Sequence, residues 1–157
     1  MMTIIDDYTL DDIKSSIKYL LDKSLSSEEV RQQTIKVTRS SSDVLASVYD
    51  WVKTNVRYRS DPVGTELFIS PVRMMQDFSR FQPLAGDCDD IALLTVAMLQ
   101  SVGVEAKVAL LDIQGNGFDH AVAIVTSPET GSEIMIDPST NKYPLGWEEH
   151  YLRKVVM

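Results

Sequence analysis

The chain has 157 residues, 44% of them hydrophobic, which is enough for a domain with its own core. Its net charge of -8 disfavours nonspecific binding to nucleic acid or to an anionic membrane. No apolar run is long enough to span a membrane, and the N-terminus lacks the basic start of a signal peptide. A single cysteine excludes an internal disulfide and fits a cytoplasmic location, and no cofactor or structural zinc site is expected.

Three helices are predicted in the N-terminal third of the chain. Thr9 is a suitable N-cap for a helix through about residue 24, and Ser26 with Glu29 forms a capping box for a second helix through about residue 38. Asp43 and the serines before it open a third helix over roughly residues 44–56. We expect a single domain over residues 1–157, in which residues 1–26 are an N-terminal helical extension.

Residues 61–86 interrupt this helical pattern. They contain five residues that break helices and strands, namely Pro62, Gly64, Pro71, Pro83 and Gly86. The prediction is an ordered loop with one short helix near residues 72–77. A long irregular segment that leads into a candidate active site is usually a binding loop or a strand that the pattern conceals.

Cys88 lies where a glycine-containing loop turns into a helix. The residues from Ile91 to Val102 leave almost no polar face, so this helix should be buried and central, and Gly103 fits a left-handed helix end. A thiol in the first turn meets unpaired backbone N–H groups and the positive end of the helix dipole, which both favour the nucleophilic thiolate. Two interpretations stay open here, because Cys88 is either a nucleophile or a small buried apolar residue.

Beyond Gly103 the hydrophobic pattern changes to period two, which indicates strands. Three strands are predicted, over residues 104–111, 118–126 and 132–138. The remaining C-terminal residues are predicted as turns, with a short helix near residues 148–153. Helices followed by antiparallel strands indicate an α+β fold in which the helix after Cys88 packs on the sheet.

The predicted sheet supplies partners for a cysteine nucleophile, which needs a base and a group that orients the base. If the last hairpin has a four-residue loop with Thr126 opposite Gly131, then His120 lies directly opposite Asp137. Directly opposed residues share a face, so Asp137 would hold one ring nitrogen of His120 and leave the other for Cys88. Taken singly, His120 fits a satisfied strand histidine and Asp137 an Asp-Pro turn. The combination of all three favours a catalytic triad.

Several segments resemble the transglutaminase-like superfamily, over about residues 27–145. They are the helix and loop upstream of residue 61, Gly86-Asp-Cys-Asp-Asp-Ile-Ala-Leu-Leu, Gly103-Val-Glu-Ala-Lys-Val, Asp119-His120-Ala-Val and Ile136-Asp137-Pro-Ser. The resemblance implies a papain-like fold and a triad of Cys88, His120 and Asp137. It also implies cleavage or transfer of acyl groups at amides, as in proteases, glycopeptide amidases and protein cross-linkers.

The chain departs from the family pattern beside two triad positions. Relatives commonly carry an aromatic residue after the histidine and a tryptophan before the aspartate, whereas Ala121 follows His120 here and Glu133-Ile-Met-Ile precedes Asp137. The pocket wall is therefore expected to differ. The compact form, and residues 61–71 in particular, resemble versions encoded by phages and prophages.

Two further features near Cys88 concern the oxyanion and the local charge. Gln82 resembles the glutamine with which papain-like proteases stabilise the oxyanion, although an ordinary loop glutamine fits as well, and the Cys88 backbone N–H is the other candidate donor. Three aspartates, at positions 87, 89 and 90, flank the cysteine, and their charge opposes thiolate formation. Capping of the helix explains them better than chelation of a cation, so no metal is expected.

Two functions stay open. The first is a cysteine-dependent amide hydrolase or acyltransferase that acts on a protein or peptide: Cys88 attacks, His120 accepts and returns the proton, and Asp137 orients His120. The second is a structural or assembly protein of a phage particle that retains the fold with little or no chemistry. Its partners would be other phage structural proteins, and its location the host cytoplasm or the virion. Neither nucleic acid nor a membrane is expected as a partner.

Overall fold

The computed structural model describes residues 2–6, 9–141, 144–147 and 149–157. The helices are α1 Leu10–Leu25, α2 Glu28–Thr38, α3 Val44–Asn55, α4 Pro71–Ser79 and α5 Cys88–Ser101. The strands are β1 Met2–Asp6, β2 Val56–Tyr58, β3 Thr65–Ile69, β4 Leu84–Gly86, β5 Ala106–Asp112, β6 His120–Thr126, β7 Glu133–Ile136 and β8 Arg153–Val156. No helix in the described part of the chain is both long and apolar enough to span a membrane.

Helix α5 forms the centre of the fold, as its apolar sequence predicts. Its side chains from Asp89 to Leu99 are all buried, and it packs against α1, α2 and α3 as well as β5 and β6. The one hydroxyl in this buried stretch, that of Thr95, donates to the carbonyl of Ile91 at 2.7 Å. The buried polar group is thereby satisfied, so the helix can be enclosed on all sides.

The main sheet is antiparallel with strand order β7-β6-β5-β8. Alternate residues of β6 face two separate apolar clusters. Ala121 and Ala123 belong to the large core that contains α5, whereas Val122 and Ile124 belong to a smaller cluster on the opposite face. Helices packed on one face of an antiparallel sheet confirm the predicted α+β class.

The segment predicted as a loop contains more structure than its sequence suggested. Strand β3 pairs with β1 in an antiparallel ladder, β4 pairs with β2 in a parallel one, and α4 is longer than the helix predicted near residues 72–77. Strands β2 and β4 have only three residues each. Three residues are too few to show a period-two pattern, so the sequence gives no signal for these two strands.

Two further boundaries differ from the predictions. Helix α2 is capped by Ser27, whose hydroxyl accepts the N–H of Val30 at 3.3 Å, because Ser26 instead donates to the carbonyl of Lys23 at the end of α1. At the C-terminus, residues 153–156 form β8 beside β5, and the described residues from 149 onward contain no helix. The predictions for α1 and α3 are confirmed to within one residue at each helix start and end.

Candidate active site

Cys88 is the first residue of α5, and its neighbours cap that helix. Asp87 is the N-cap, and its Oδ1 accepts the N–H groups of Asp89 at 3.1 Å and Asp90 at 3.4 Å. In return, Asp90 Oδ2 accepts the N–H of Asp87 at 3.2 Å, which completes a capping box. Two of the three flanking aspartates, Asp87 and Asp90, therefore stabilise the helix start at which Cys88 lies, as predicted.

Asp90 also connects the helix start to the rest of the site. Its side chain is 1% exposed, and its Oδ1 accepts the N–H of Ile69 at the end of β3 at 2.7 Å. Gly86 packs directly against it, since a Cβ at position 86 would lie 2.6 Å from the Cβ of Asp90. Only a glycine leaves room here for the carboxylate that joins β3 to α5.

His120 and Asp137 form a close polar pair at the ends of β6 and β7. The Nε2 atom of His120 lies 2.7 Å from Oδ2 of Asp137, which confirms the predicted contact. The N–H of Ser139 donates to the other carboxylate oxygen at 3.0 Å. Asp137 is thus held on both oxygens, and its orientation toward the imidazole is fixed.

The pair perturbs the acidity of both partners. Burial by itself lowers the pKa of His120, but the hydrogen bond and charge of Asp137 outweigh it, so the pKa of His120 is raised. Burial raises the pKa of Asp137, but the hydrogen bond and charge of His120 outweigh it, so the pKa of Asp137 is lowered. The geometry therefore favours a carboxylate that retains its charge and an imidazole that binds a proton readily.

The register that brings the pair together is not the predicted one. Thr126 pairs with Glu133 rather than with Gly131, because the hairpin closes one residue further along, with the N–H of Ser127 donating to the carbonyl of Ser132 at 2.8 Å. The loop still has four residues, and each residue of β6 pairs with a residue two positions further along the chain than predicted. Because side chains alternate between the two faces, a shift of two positions leaves every side chain on its predicted face. The direct opposition of His120 and Asp137 was wrong, but the two residues share a face and meet diagonally.

A cavity of about 330 Å³ contains the thiol and the imidazole. We name it the Cys88 cavity; its other lining residues include Tyr58, Ser60, Asp61, Glu66, Asp87, Asp89, Phe118 and Asp119. His120 also lines a neighbouring cavity of about 230 Å³, which contains Asp137. His120 therefore lines both the cavity that contains Cys88 and the cavity that contains Asp137. That its Nδ1 faces the sulfur stays a prediction.

The environment of Cys88 does not favour thiolate, contrary to the sequence-based expectation. Burial raises the pKa of the thiol, and the carboxylates of Asp89 and Asp87 raise it further, while a hydrogen bond from the backbone of Ala121 acts in the opposite direction. The sulfur lies 3.6 Å from Oδ1 of Asp89, to which the thiol can donate. The helix-start effect is outweighed because the thiol is buried and the carboxylates of Asp89 and Asp87 act on it.

Three carboxyl groups beside the cavity have raised pKa values, chiefly because they are buried. Burial, with repulsion from Asp61, raises the pKa of Asp87 to about 7. Burial raises the pKa of Asp90 to about 8, and burial with a hydrogen bond to Glu66 raises the pKa of Asp89. Oxygen atoms of Asp61, Glu66 and Asp87 lie within 4.8 Å of one another. These are the residues that could hold a hard cation such as Ca²⁺ or Mg²⁺.

The structure does not bring Gln82 into the site. Its side chain is exposed and donates to the carbonyl of Arg80 at 3.4 Å, and it is not among the described residues that line the Cys88 cavity. Between Gln82 and Cys88 the chain forms β4, which carries the glutamine away from the sulfur. Sequence reasoning instead missed Tyr58, whose pKa is raised by burial and by the nearby Cys88.

Comparisons with known proteins agree with this arrangement. The sequence matches the transglutaminase-like superfamily over residues 28–152. The chain therefore belongs to that superfamily. The comparison with curated proteins gives no match. That residues 1–157 form one domain stays a prediction.

Two solved structures show the same fold at low sequence identity, and a third gives a weaker match. A candidate cysteine protease from Cytophaga hutchinsonii is 19% identical with a TM-score of 0.56, and the match covers 88% of this chain and 49% of that one. A candidate protease from Parabacteroides distasonis is 17% identical with a TM-score of 0.53, over 79% of this chain and 26% of that one. Calcium-bound LapG of Legionella pneumophila is 20% identical with a TM-score of 0.48, and the match covers 86% of this chain and 68% of that one. The chain thus spans half or less of the first two proteins.

Proposed function

We propose that the protein is a cysteine-dependent hydrolase or acyltransferase that acts on an amide of a protein or peptide. The observation that carries the proposal is the 2.7 Å contact between His120 and Asp137, made by a histidine that lines the same cavity as Cys88. A nucleophile, a base and a carboxylate that orients the base are the three groups that acyl transfer by a cysteine requires, and these two observations support assigning the roles to Cys88, His120 and Asp137. Membership in the transglutaminase-like superfamily supports the same chemistry.

The proposed reaction has two halves. Sγ of Cys88 bonds to the amide carbonyl carbon while His120 takes the thiol proton on Nδ1, the ring nitrogen that does not contact Asp137. His120 then gives this proton to the leaving amine as the C–N bond breaks, and a thioester remains on Cys88. Water or a second amine attacks the thioester, its proton passes to His120, and the C–S bond breaks as the thiol recovers that proton.

The developing oxyanion needs donors at the start of α5. As the first helical residue, Cys88 has a backbone N–H without an acceptor inside the helix, so this group is the first proposed donor. The hydroxyl of Tyr58, on the wall of the Cys88 cavity, is the second. Tyr58 takes the role that the sequence suggested for Gln82.

The assembly-protein alternative is favoured by one observation, which is the raised pKa of the Cys88 thiol. A thiol that stays protonated among carboxylates fits a phage structural protein that keeps the fold without its chemistry. Such a protein would bind other phage structural proteins in the host cytoplasm or the virion.

Hydrolysis of p-nitrophenyl acetate distinguishes the two functions. The wild-type protein should acquire an acetyl group on Cys88, seen by mass spectrometry, and release nitrophenolate repeatedly. Both signals should be lost in Cys88→Ser, and turnover should fall at least about 100-fold in His120→Ala. His150→Ala, at an exposed position, is the control and should behave as wild type. Equal turnover in the wild type and His120→Ala would favour the assembly protein.

A further inference from the structure

A second concave site lies close to the Cys88 cavity and has the opposite charge. It is a recess of about 720 Å³ formed by the end of α3, by β2 and by residues 83–85. Lys53, Arg57 and Arg59 line this basic recess, and none of its described lining residues is acidic. In a chain of net charge -8, three cations around one recess form a distinct positive surface.

One strand separates the two sites. Arg57 and Arg59 line the basic recess, whereas Tyr58 and Ser60 line the Cys88 cavity. This is the alternation expected of an extended segment, in which successive side chains point to opposite sides. The basic recess and the Cys88 cavity therefore lie on the two sides of the same short segment.

The position of this segment is fixed relative to the nucleophile. In the parallel pair of β2 and β4, Tyr58 is the partner of Gly86, and the N–H of Arg59 donates to the carbonyl of Gly86 at 2.8 Å. Gly86 precedes Cys88 by two residues. Backbone hydrogen bonds thus join the segment that lines the recess to the strand directly before Cys88.

The cationic groups are available to a ligand. Arg57 and Arg59 are exposed, and in the described part of the chain neither side chain appears in an ion pair or hydrogen bond. Lys53 is turned toward Tyr49, whose hydroxyl lies 3.0 Å from its ammonium nitrogen. A guanidinium group is planar and offers paired donors, a geometry that matches a carboxylate.

We propose that the basic recess binds an acidic side chain of the peptide whose amide Cys88 attacks. This inference rests on the proposed function, because only that function identifies the ligand as a peptide. An extended peptide advances about 3.3 Å per residue, so a Glu or Asp a few positions from the scissile amide reaches the arginines. A nucleic acid fits less well, because the net charge of -8 disfavours binding of a long polyanion to the chain as a whole.

Binding of labelled hexaglutamate to the Cys88→Ser variant tests this without turnover, by fluorescence anisotropy at low salt in a chelating buffer. We expect saturable binding that weakens as salt increases, and none for hexaglutamine. Each exposed charge pair contributes roughly 1.4- to 5-fold, so Arg57→Gln with Arg59→Gln should weaken binding roughly 2- to 25-fold. The variant with Arg57→Lys and Arg59→Lys, which keeps both positive charges, should bind hexaglutamate more tightly than the double Gln variant and less tightly than the protein with both arginines. The α2 control changes Lys36 of α2 and Arg39, the residue directly after α2, to Gln, which removes the same charge at exposed positions and should have little effect.

The outcomes separate the two proposals. Binding that is unchanged in the arginine double variant, or equally weakened in the α2 control, overturns the recess proposal. Tighter arginine-dependent binding of a single-stranded oligonucleotide than of hexaglutamate also overturns it. Arginine-dependent hexaglutamate binding by a protein that does not turn over p-nitrophenyl acetate supports the recess while the proposed function falls. Circular dichroism and thermal unfolding confirm that each variant is folded.

Discussion

His120 begins β6 and Asp137 directly follows β7, and the Nε2 and Oδ2 atoms of the two residues lie 2.7 Å apart. Because the carboxylate accepts the proton on Nε2, the neutral imidazole carries its lone pair on Nδ1. Asp137 is 8% exposed and also accepts the N–H of Ser139. The arrangement thus selects one tautomer of His120, the one that a general base acting on the thiol requires.

Asp137→Asn should therefore reduce turnover while the protein stays folded. An asparagine amide can donate to Nε2 and favour the other tautomer, which by analogy with other triads lowers turnover about 10²- to 10⁴-fold. The pKa of His120, now raised by Asp137, should fall, so the acidic limb of the pH–rate profile should move to lower pH. Nitrophenolate release across pH measures both effects. Loss of rate without this movement would contradict the proposed pairing.

Cys88 should react with iodoacetamide only at high pH in the wild-type protein. Burial and the carboxylates of Asp89 and Asp87 raise the pKa of the thiol, so the midpoint of alkylation should lie above the free-thiol value of about 8.5. Asp89→Asn should lower this midpoint, because it removes the larger of the two carboxylate repulsions. Asp50→Asn, at an exposed position of α3, serves as the control. A wild-type midpoint below the free-thiol value would show that pairing with His120 outweighs the carboxylates.

The sequence predicts the parts of this site that depend on local pattern. A buried apolar run predicts α5, and the aspartates around Cys88 predict its caps, because these effects act within one helical turn. The face shared by His120 and Asp137 was also predictable, since a hairpin loop of given length fixes parity even where the register is misplaced. These features need no knowledge of distant residues.

What could not be predicted depends on pairings between distant segments. Tyr58 reaches the Cys88 cavity only because β2 pairs with β4, and Asp61 and Glu66 reach it from the segment predicted as a loop. The sequence shows both the helix start and the aspartates that flank Cys88, but it does not show which effect is larger; burial and the carboxylates of Asp89 and Asp87 raise the pKa of the thiol. Gln82 is the converse case, since its spacing from Cys88 suggested a contact that β4 prevents.

Asp87→Asn should stabilise the protein at alkaline pH but not at acidic pH. The pKa of Asp87 is raised to about 7 by burial and by repulsion from Asp61. Its protonated form is therefore favoured by folding, and the associated stability is present below about pH 4 and lost as pH rises through about 7. Asparagine keeps the N-cap oxygen and has no charge, so a gain of about 1–3 kcal/mol is expected at pH 8.5. Urea unfolding at pH 4 and 8.5, with a chelator present, measures the difference. An equal effect at both pH values would refute the assignment.

Gly86→Ala should damage the site through packing. The added methyl would lie 2.6 Å from the Cβ of Asp90 and 2.8 Å from its Oδ2, so the carboxylate that holds Ile69 and caps α5 must move. Such overpacking costs about 1–3 kcal/mol. Gly103→Ala is an informative comparison, because a Cβ at position 103 would meet no atom within 4 Å, whereas the φ of +84° would strain the alanine backbone. Both variants should lower the unfolding temperature, but only Gly86→Ala should also change the alkylation profile of Cys88.

The charge of the Cys88 cavity should be measurable from the reactivity of the thiol itself. Carboxylates of Asp61, Glu66, Asp87, Asp89 and Asp119 line this cavity, and no lysine or arginine is among its described lining residues. A cationic methanethiosulfonate should therefore modify Cys88 about 10-fold or more faster than an anionic one, relative to the same ratio for free cysteine. The preference should decrease with salt and increase from pH 6 to 8.5 as Asp87, with a pKa of about 7, ionises. Glu66→Gln should reduce it, whereas Asp50→Asn should not. A ratio equal to that of free cysteine at every pH would show that the carboxylates do not act on the thiol.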